Sequence, residues 1–230
     1  MREGVTTVAG RHAEPEVRLP LSDRADAGRL LAGRVAALGL DRPLVLALPR
    51  GGVAVAGAVA RRLDAEMDVL VTRKIGYPRQ PELGVGAVAE GGDPVYDEDL
   101  MARLGIEPAE MAGTLAAERR ELARRVAAYR PGRELPAFAG RDVVVVDDGL
   151  ATGVTARAAL RAVRAGSPRR LVLAVPVGAA ETVEAMRREA DDVIVLATPW
   201  AFRAVGQWYR RFDQLTDADV LALLDRVRGA

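Results

Sequence analysis

Two adjacent carboxylates, Asp147 and Asp148, stand at the end of the run Val143-Val144-Val145-Val146, and Gly149-Leu150-Ala151-Thr152-Gly153-Val154-Thr155 follows them. Consecutive β-branched residues favour a strand buried on both faces, so the next side chains emerge at its carboxyl end. In open α/β sheets that end is where ligands bind. Side by side there, two carboxylates can accept hydrogen bonds from a vicinal diol. The Ala151–Thr155 segment then turns the chain into a helix. Its free N–H groups, the helix dipole and the hydroxyls of Thr152 and Thr155 make a cradle for one phosphate. Small residues at Ala151 and Gly153 let that phosphate approach the backbone. A diol site beside a monophosphate site describes a ribose 5-phosphate.

Two further strand ends carry cations. Leu44-Val45-Leu46-Ala47-Leu48 is a continuously apolar run followed by Pro49-Arg50-Gly51-Gly52. The two glycines expose N–H groups, and Arg50 adds a fixed charge with a fork geometry suited to phosphate oxygens. Alone, such a turn is weak support for a ligand loop. The strand from Met67 to Thr72 runs into Arg73 and Lys74, which point toward the same end of the sheet.

These elements belong to an alternating series. A helix capped by Ser22 runs to about Gly39, and another runs from Val53 to about Leu63. Residues 73–95 are rich in glycine and proline, as functional or mobile loops are. A helical pattern spans Asp97 to Tyr129, with its charges on a solvated face. The strand at 142–147 is followed by a helix from Gly153 to Ala165, a strand from Leu171 to Val177, a helix from Glu181 to Ala190 and a strand from Val193 to Ala197. Alternation of this kind predicts an α/β fold with a mostly parallel sheet and helices on both faces. Residues 1–21 read as an arm or a short edge strand. A last helix is capped by Thr216.

Composition removes whole classes of chemistry. The 230 residues contain no cysteine and one histidine, His12, which excludes thiol nucleophiles, disulfides and most zinc sites. With 33 basic and 32 acidic residues, no global field draws the chain to nucleic acid or to an anionic membrane. No apolar run reaches the roughly 18 residues of a membrane span. The first residues lack the apolar core of a signal peptide, so the cytoplasm is the expected compartment. Neither a Walker lysine motif nor a Gly-x-Gly-x-x-Gly fingerprint is present.

The Val143–Thr155 segment resembles the binding motif of type I phosphoribosyltransferases, and Asp147 to Gly153 is especially similar to the adenine phosphoribosyltransferase version. Gly149 departs from the usual aliphatic residue. The resemblance implies the type I phosphoribosyltransferase fold: a core over about 22–197 and a small C-terminal hood over about 198–230, to which 1–21 could contribute, within one domain. It implies transfer of the phosphoribosyl group of 5-phosphoribosyl-1-pyrophosphate (PRPP) to a nitrogenous, nucleobase-like acceptor, with Mg²⁺ bridging the pyrophosphate oxygens and the ribose hydroxyls. Asp147, Asp148, Arg50 and Lys74 would be the catalytic residues. Ala151, Thr152, Gly153, Val154 and Thr155 would hold the 5-phosphate. Arg50, Gly51, Gly52, Arg73 and Lys74 would hold the pyrophosphate, and the residue before the first of these glycines is often joined by a cis peptide in the family.

The same resemblance makes residues 75–95 a flexible loop that closes over the reaction centre. Hypoxanthine-type relatives place a basic aspartate where this chain has Ala151, which cannot serve; adenine-type relatives use a loop glutamate, so Glu82 and Glu90 are candidates. Trp200, Phe202 and Trp208 could stack a planar acceptor, or form a small core that anchors the last helix. Most of the chain is similar to a bacterial phosphoribosyltransferase-like group that shares the Arg-Gly-Gly loop, Arg-Lys-Ile-Gly and a Gly-x-Trp-Tyr tail. Some relatives keep the sugar site but work as non-catalytic sensors of PRPP or nucleotides, which is the alternative function. Dimers are common among them.

Overall fold

The computed structural model describes residues 17–228; His12 and most of the 1–21 arm lie outside the described residues. Five strands form a parallel sheet in the order β2-β1-β6-β7-β8, with β1 Leu44–Ala47, β2 Glu66–Val69, β6 Asp142–Val146, β7 Arg170–Val177 and β8 Asp192–Ala197. Every residue of β1 and β6 is buried, as a strand covered on both faces requires. Alternation divides the core. Val45, Ala47, Val144 and Val146 face α1 (Arg24–Ala36), α2 (Gly51–Leu63) and α7 (Asp217–Arg228). Leu44, Leu46, Val143 and Val145 face α5 (Val154–Ala165) and α6 (Ala180–Met186). The chain proceeds outward from β1 to β2 and, on the other side, from β6 to β8. The reversal therefore lies between β1 and β6, where a ligand crevice is expected.

The segment expected as a closing loop is instead an antiparallel sheet of β3 (Thr72–Tyr77), β4 (Gln80–Ala89) and β5 (Val95–Tyr96). Its glycines are sites of close approach rather than of coil. A Cβ on Gly86 would stand 2.7 Å from the Tyr96 ring, and one on Gly76 would stand 2.3 Å from the Pro81 carbonyl. The strand expected from Met67 to Thr72 is two strands, because the chain leaves the parallel sheet after Leu70 and pairs with β4 from Thr72.

Three more boundaries differ. The cap of α1 is Asp23, whose carboxylate accepts from the Asp26 N–H, and not Ser22. The helical stretch expected from 97 to 129 is broken at Gly105, which ends α3 (Glu98–Leu104) in the left-handed region before α4 (Ala112–Tyr129). Helix α6 stops at Met186, short of Ala190. The last helix is capped by Thr216 as expected, with the Asp219 N–H donating to its Oγ1 and the Asp219 carboxylate accepting from the Thr216 N–H. No described helix is long and apolar enough to cross a membrane.

Candidate ribose-phosphate site

Strands β1 and β6 are paired with Ala47 opposite Val146, so the turns that follow them lie side by side. Past Val146, Asp147 Oδ1 accepts from the Asp148 N–H at 2.8 Å. Asp148 Oδ2 sits against Gly51, where an added Cβ would fall 1.8 Å from it; a Cβ on Gly52 would meet the Val146 carbonyl at 2.6 Å. The glycine pair thus lets the α2 turn close onto the aspartates. The Pro49–Arg50 peptide bond is cis. The Gly52 N–H is already committed to the Leu48 carbonyl, which leaves Gly51 as the glycine N–H of this turn with no backbone partner among the described residues.

The Ala151–Thr155 turn is open. None of its N–H groups has a hydrogen-bond partner among the described residues, and Thr152 is exposed. Gly153 takes the left-handed region at φ 72°, and Thr182 Oγ1 donates to the Ala151 carbonyl at 2.7 Å to fix the turn from α6. Donors facing solvent at a helix start suit an oxyanion.

Burial and the neighbouring Asp148 carboxylate both push the Asp147 carboxyl up from its ordinary value. Burial raises Asp148 as well, against the opposing pull of Arg24, whose Nε donates to Asp148 Oδ2 at 2.7 Å. Burial wins there. Two half-buried, crowded carboxylates hold a repulsion that hydroxyl donors shared by both would relieve.

Several contacts that matter here join residues far apart along the chain. Arg24 lies 124 positions from Asp148. The buried Tyr209 hydroxyl donates to the Asp148 carbonyl at 2.6 Å, and burial raises its pKa. Val205 explains the departure at Gly149, because a Cβ there would stand 2.4 Å from Val205 Cγ1. We expect Gly149→Ala to cost about 1–3 kcal/mol by overpacking, and Val205→Ala to recover most of it; additive losses in a double-mutant cycle would contradict this contact.

The cations divide. Arg50 lies at the turn, half-buried, 4.0 Å from Asp217 Oδ1 at the start of α7. Asp217 also accepts from the Tyr129 hydroxyl at 2.5 Å, and burial with this bond pushes Tyr129 up to about 12. Arg73 pairs with Glu118 of α4 at 2.7 Å. Exposed Lys74 lays its stem over Gly84 and, with Arg73, lines a separate cleft of about 480 Å³ between the β3–β4 hairpin and α4. None of the hydrogen bonds or ion pairs described joins either residue to the aspartates. Glu90 is not a free loop carboxylate: Arg130 donates to it, and burial raises its pKa. Glu82 is exposed on β4.

The tail packs on the sheet edge. Phe202 and Trp208 sit with ring centroids 6.2 Å apart in a small core with Leu21 and Tyr209, while Trp200 is 97% exposed. Leu21 bridges to Tyr209 in parallel, so the described end of the N-terminal arm is held by the tail.

The chain belongs to the phosphoribosyl transferase family: residues 23–207 match the phosphoribosyl transferase domain. Two Mycobacterium tuberculosis proteins named as phosphoribosyl transferases are 48% identical over 204 residues, which is 89% of this chain and 46% of theirs. The chain therefore spans about half the length of these relatives. The crystal structure of TT1426 from Thermus thermophilus is similar at 46% identity and a TM-score of 0.75, covering 89% of this chain and 97% of that one.

Proposed function

We propose that the protein transfers the phosphoribosyl group of PRPP to a nitrogenous, nucleobase-like acceptor and releases pyrophosphate. The observation that carries this is the juxtaposition of an aspartate pair with a turn whose N–H groups have no protein partner among the described residues on one side and the Arg50-Gly51 turn on the other. Asp147 and Asp148 bind the ribose hydroxyls and stabilise positive charge developing on the ring. Residues 151–155 anchor the 5-phosphate. Arg50 and the Gly51 N–H take the leaving diphosphate, whose charge is the main obstacle to its departure.

Magnesium fits as a ligand-borne ion. Asp147 and Asp148 supply hard carboxylate oxygens beside the open 151–155 turn, the donor type that Mg²⁺ takes alongside phosphate and hydroxyl oxygens. Asp147 and Asp148 would hold it through the diol, and it would neutralise the departing diphosphate. Lys74 would reach the diphosphate only by movement of the hairpin that carries it. The tail, with exposed Trp200 and the Phe202–Trp208 pair, forms the acceptor side.

Incubation with Mg²⁺, PRPP and a panel of bases should release pyrophosphate with at least one of them. Tight PRPP binding without release from any base would instead identify a sensor. Arg50→Ala should weaken PRPP about ten- to hundredfold while leaving ribose 5-phosphate nearly unchanged; equal losses for both ligands would contradict its role.

A further inference from the structure

Arg24, the first residue of α1, is a largely buried cation at the site that none of the roles above employs. Its Nε donates to Asp148 Oδ2 at 2.7 Å, its Nη1 donates to the Asp213 carbonyl at 2.8 Å, and its Cζ lies 3.8 Å from the Phe212 ring centroid. The side chains of Arg24 and Asp148 are only 12% and 14% exposed. The Arg24 Nε also lies 3.1 Å from where a Cβ on Gly51 would be. One guanidinium therefore borders both the aspartate pair and the turn that begins α2. Nη2 has no hydrogen-bond partner among the described residues, and a guanidinium has five N–H donors in one plane.

We propose that Arg24 is a second diphosphate-binding side chain, parked on Asp148 until the ligand arrives. This rests on the phosphoribosyl reading. In the ligand-free chain Asp148 needs a counter-charge, because removing one partner of a buried ion pair is costly. A ribose diol donates to Asp148 in place of Arg24, and the diphosphate attached to the same sugar offers Arg24 a new anion beside Gly51. Each charge keeps a partner at both stages. Phe212 holds the plane of the guanidinium while its in-plane donors change acceptor. Binding of the hydroxyls and binding of the diphosphate are thereby coupled through a single side chain.

Inorganic pyrophosphate with Mg²⁺ is the discriminating probe, since it has no hydroxyls for the aspartates. Measured by calorimetry on the full chain, Arg24→Gln should weaken pyrophosphate about ten- to hundredfold and ribose 5-phosphate no more than about threefold. Asp148→Asn, which releases Arg24, should strengthen pyrophosphate several-fold while weakening ribose 5-phosphate. Adding Arg24→Gln to Asp148→Asn should abolish that gain, an outcome that the loss of a nearby negative charge alone does not produce. Unchanged pyrophosphate affinity in a folded Arg24→Gln protein overturns the proposal. Should that variant not fold, Asp148→Asn decides: a gain supports Arg24 and no gain overturns it. A wild-type chain that binds neither pyrophosphate nor ribose 5-phosphate would refute the phosphoribosyl reading itself, whereas one that binds both, with pyrophosphate indifferent to Arg24, refutes this assignment alone.

Discussion

Asp147→Asn should lose at least about a hundredfold in ribose 5-phosphate affinity, the effect of removing charge-assisted hydrogen bonds to the diol, and should nevertheless melt at a higher temperature. Burial and the adjacent Asp148 carboxylate raise the Asp147 pKa in the folded chain. A carboxyl whose folded value exceeds its unfolded value of about 3.9 favours folding when protonated. That contribution is complete below the unfolded value and disappears as pH rises through the folded one. At neutral pH, where the unfolded chain holds this group ionised, that contribution is diminished and burial of the carboxyl works against the fold. Asparagine keeps the Oδ1 that accepts from the Asp148 N–H at 2.8 Å and removes the charge. A gain of about 1 kcal/mol, or about 2–4 °C in Tm for a chain of this size, is expected near pH 7 and should vanish toward pH 4. Asp148→Asn should gain less, because Arg24 then loses its counter-charge. A lower Tm for Asp147→Asn at pH 7 would mean that the pair is not under electrostatic tension.

Gly153→Ala should produce the opposite combination, weaker binding and a less stable fold. Gly153 sits at φ 72°, and an added Cβ would stand 2.5 Å from Thr182 Cγ2. Thr182 cannot simply step aside, since its hydroxyl holds the Ala151 carbonyl at 2.7 Å. Left-handed strain on a non-glycine residue costs about 1–2 kcal/mol before the contact is counted. The turn should relax by rotating its N–H groups out of convergence. Ribose 5-phosphate affinity is expected to fall by about a hundredfold, roughly two lost charge-assisted hydrogen bonds, with Tm lower by about 3–6 °C. Pyrophosphate affinity should hold, because Arg50 and Gly51 lie on the neighbouring turn. Calorimetry with both ligands checks this, and a parallel loss of pyrophosphate would argue that the two turns are one site.

The parallel core was legible because its signals are local. Runs such as Val143–Val146 and Leu44–Leu48 have one structural solution in an alternating series, and the turns after them inherit their place at the carboxyl ends of β6 and β1. The β3–β5 sheet was not legible, because its glycines read as breakers when only the residue type is visible. What makes them strand residues is the Tyr96 ring and the Pro81 carbonyl pressed against their Cα atoms. The aspartate pair was readable from its adjacency, but its surroundings were not: Arg24, Tyr209 and Val205 reach it from 124, 61 and, for the Gly149 contact, a comparable distance along the chain. Adjacency in the sequence points Arg73 and Lys74 at the aspartates, whereas the chain's exit into β3 places both on another cleft, Arg73 paired with Glu118 and Lys74 over Gly84.

The tail is bolted to the Asp148–Gly149 turn at two points, with the Val205 methyls filling the space at Gly149 and the Tyr209 hydroxyl holding the Asp148 carbonyl. A tail transplanted from a distant relative would arrive with the wrong bolts and would disturb the aspartates before any new acceptor was tried. Room for diversification on this face is confined to the outward positions Trp200, Arg203, Ala204 and Gln207, interleaved with Phe202, Val205, Trp208 and Tyr209, which packing already commits.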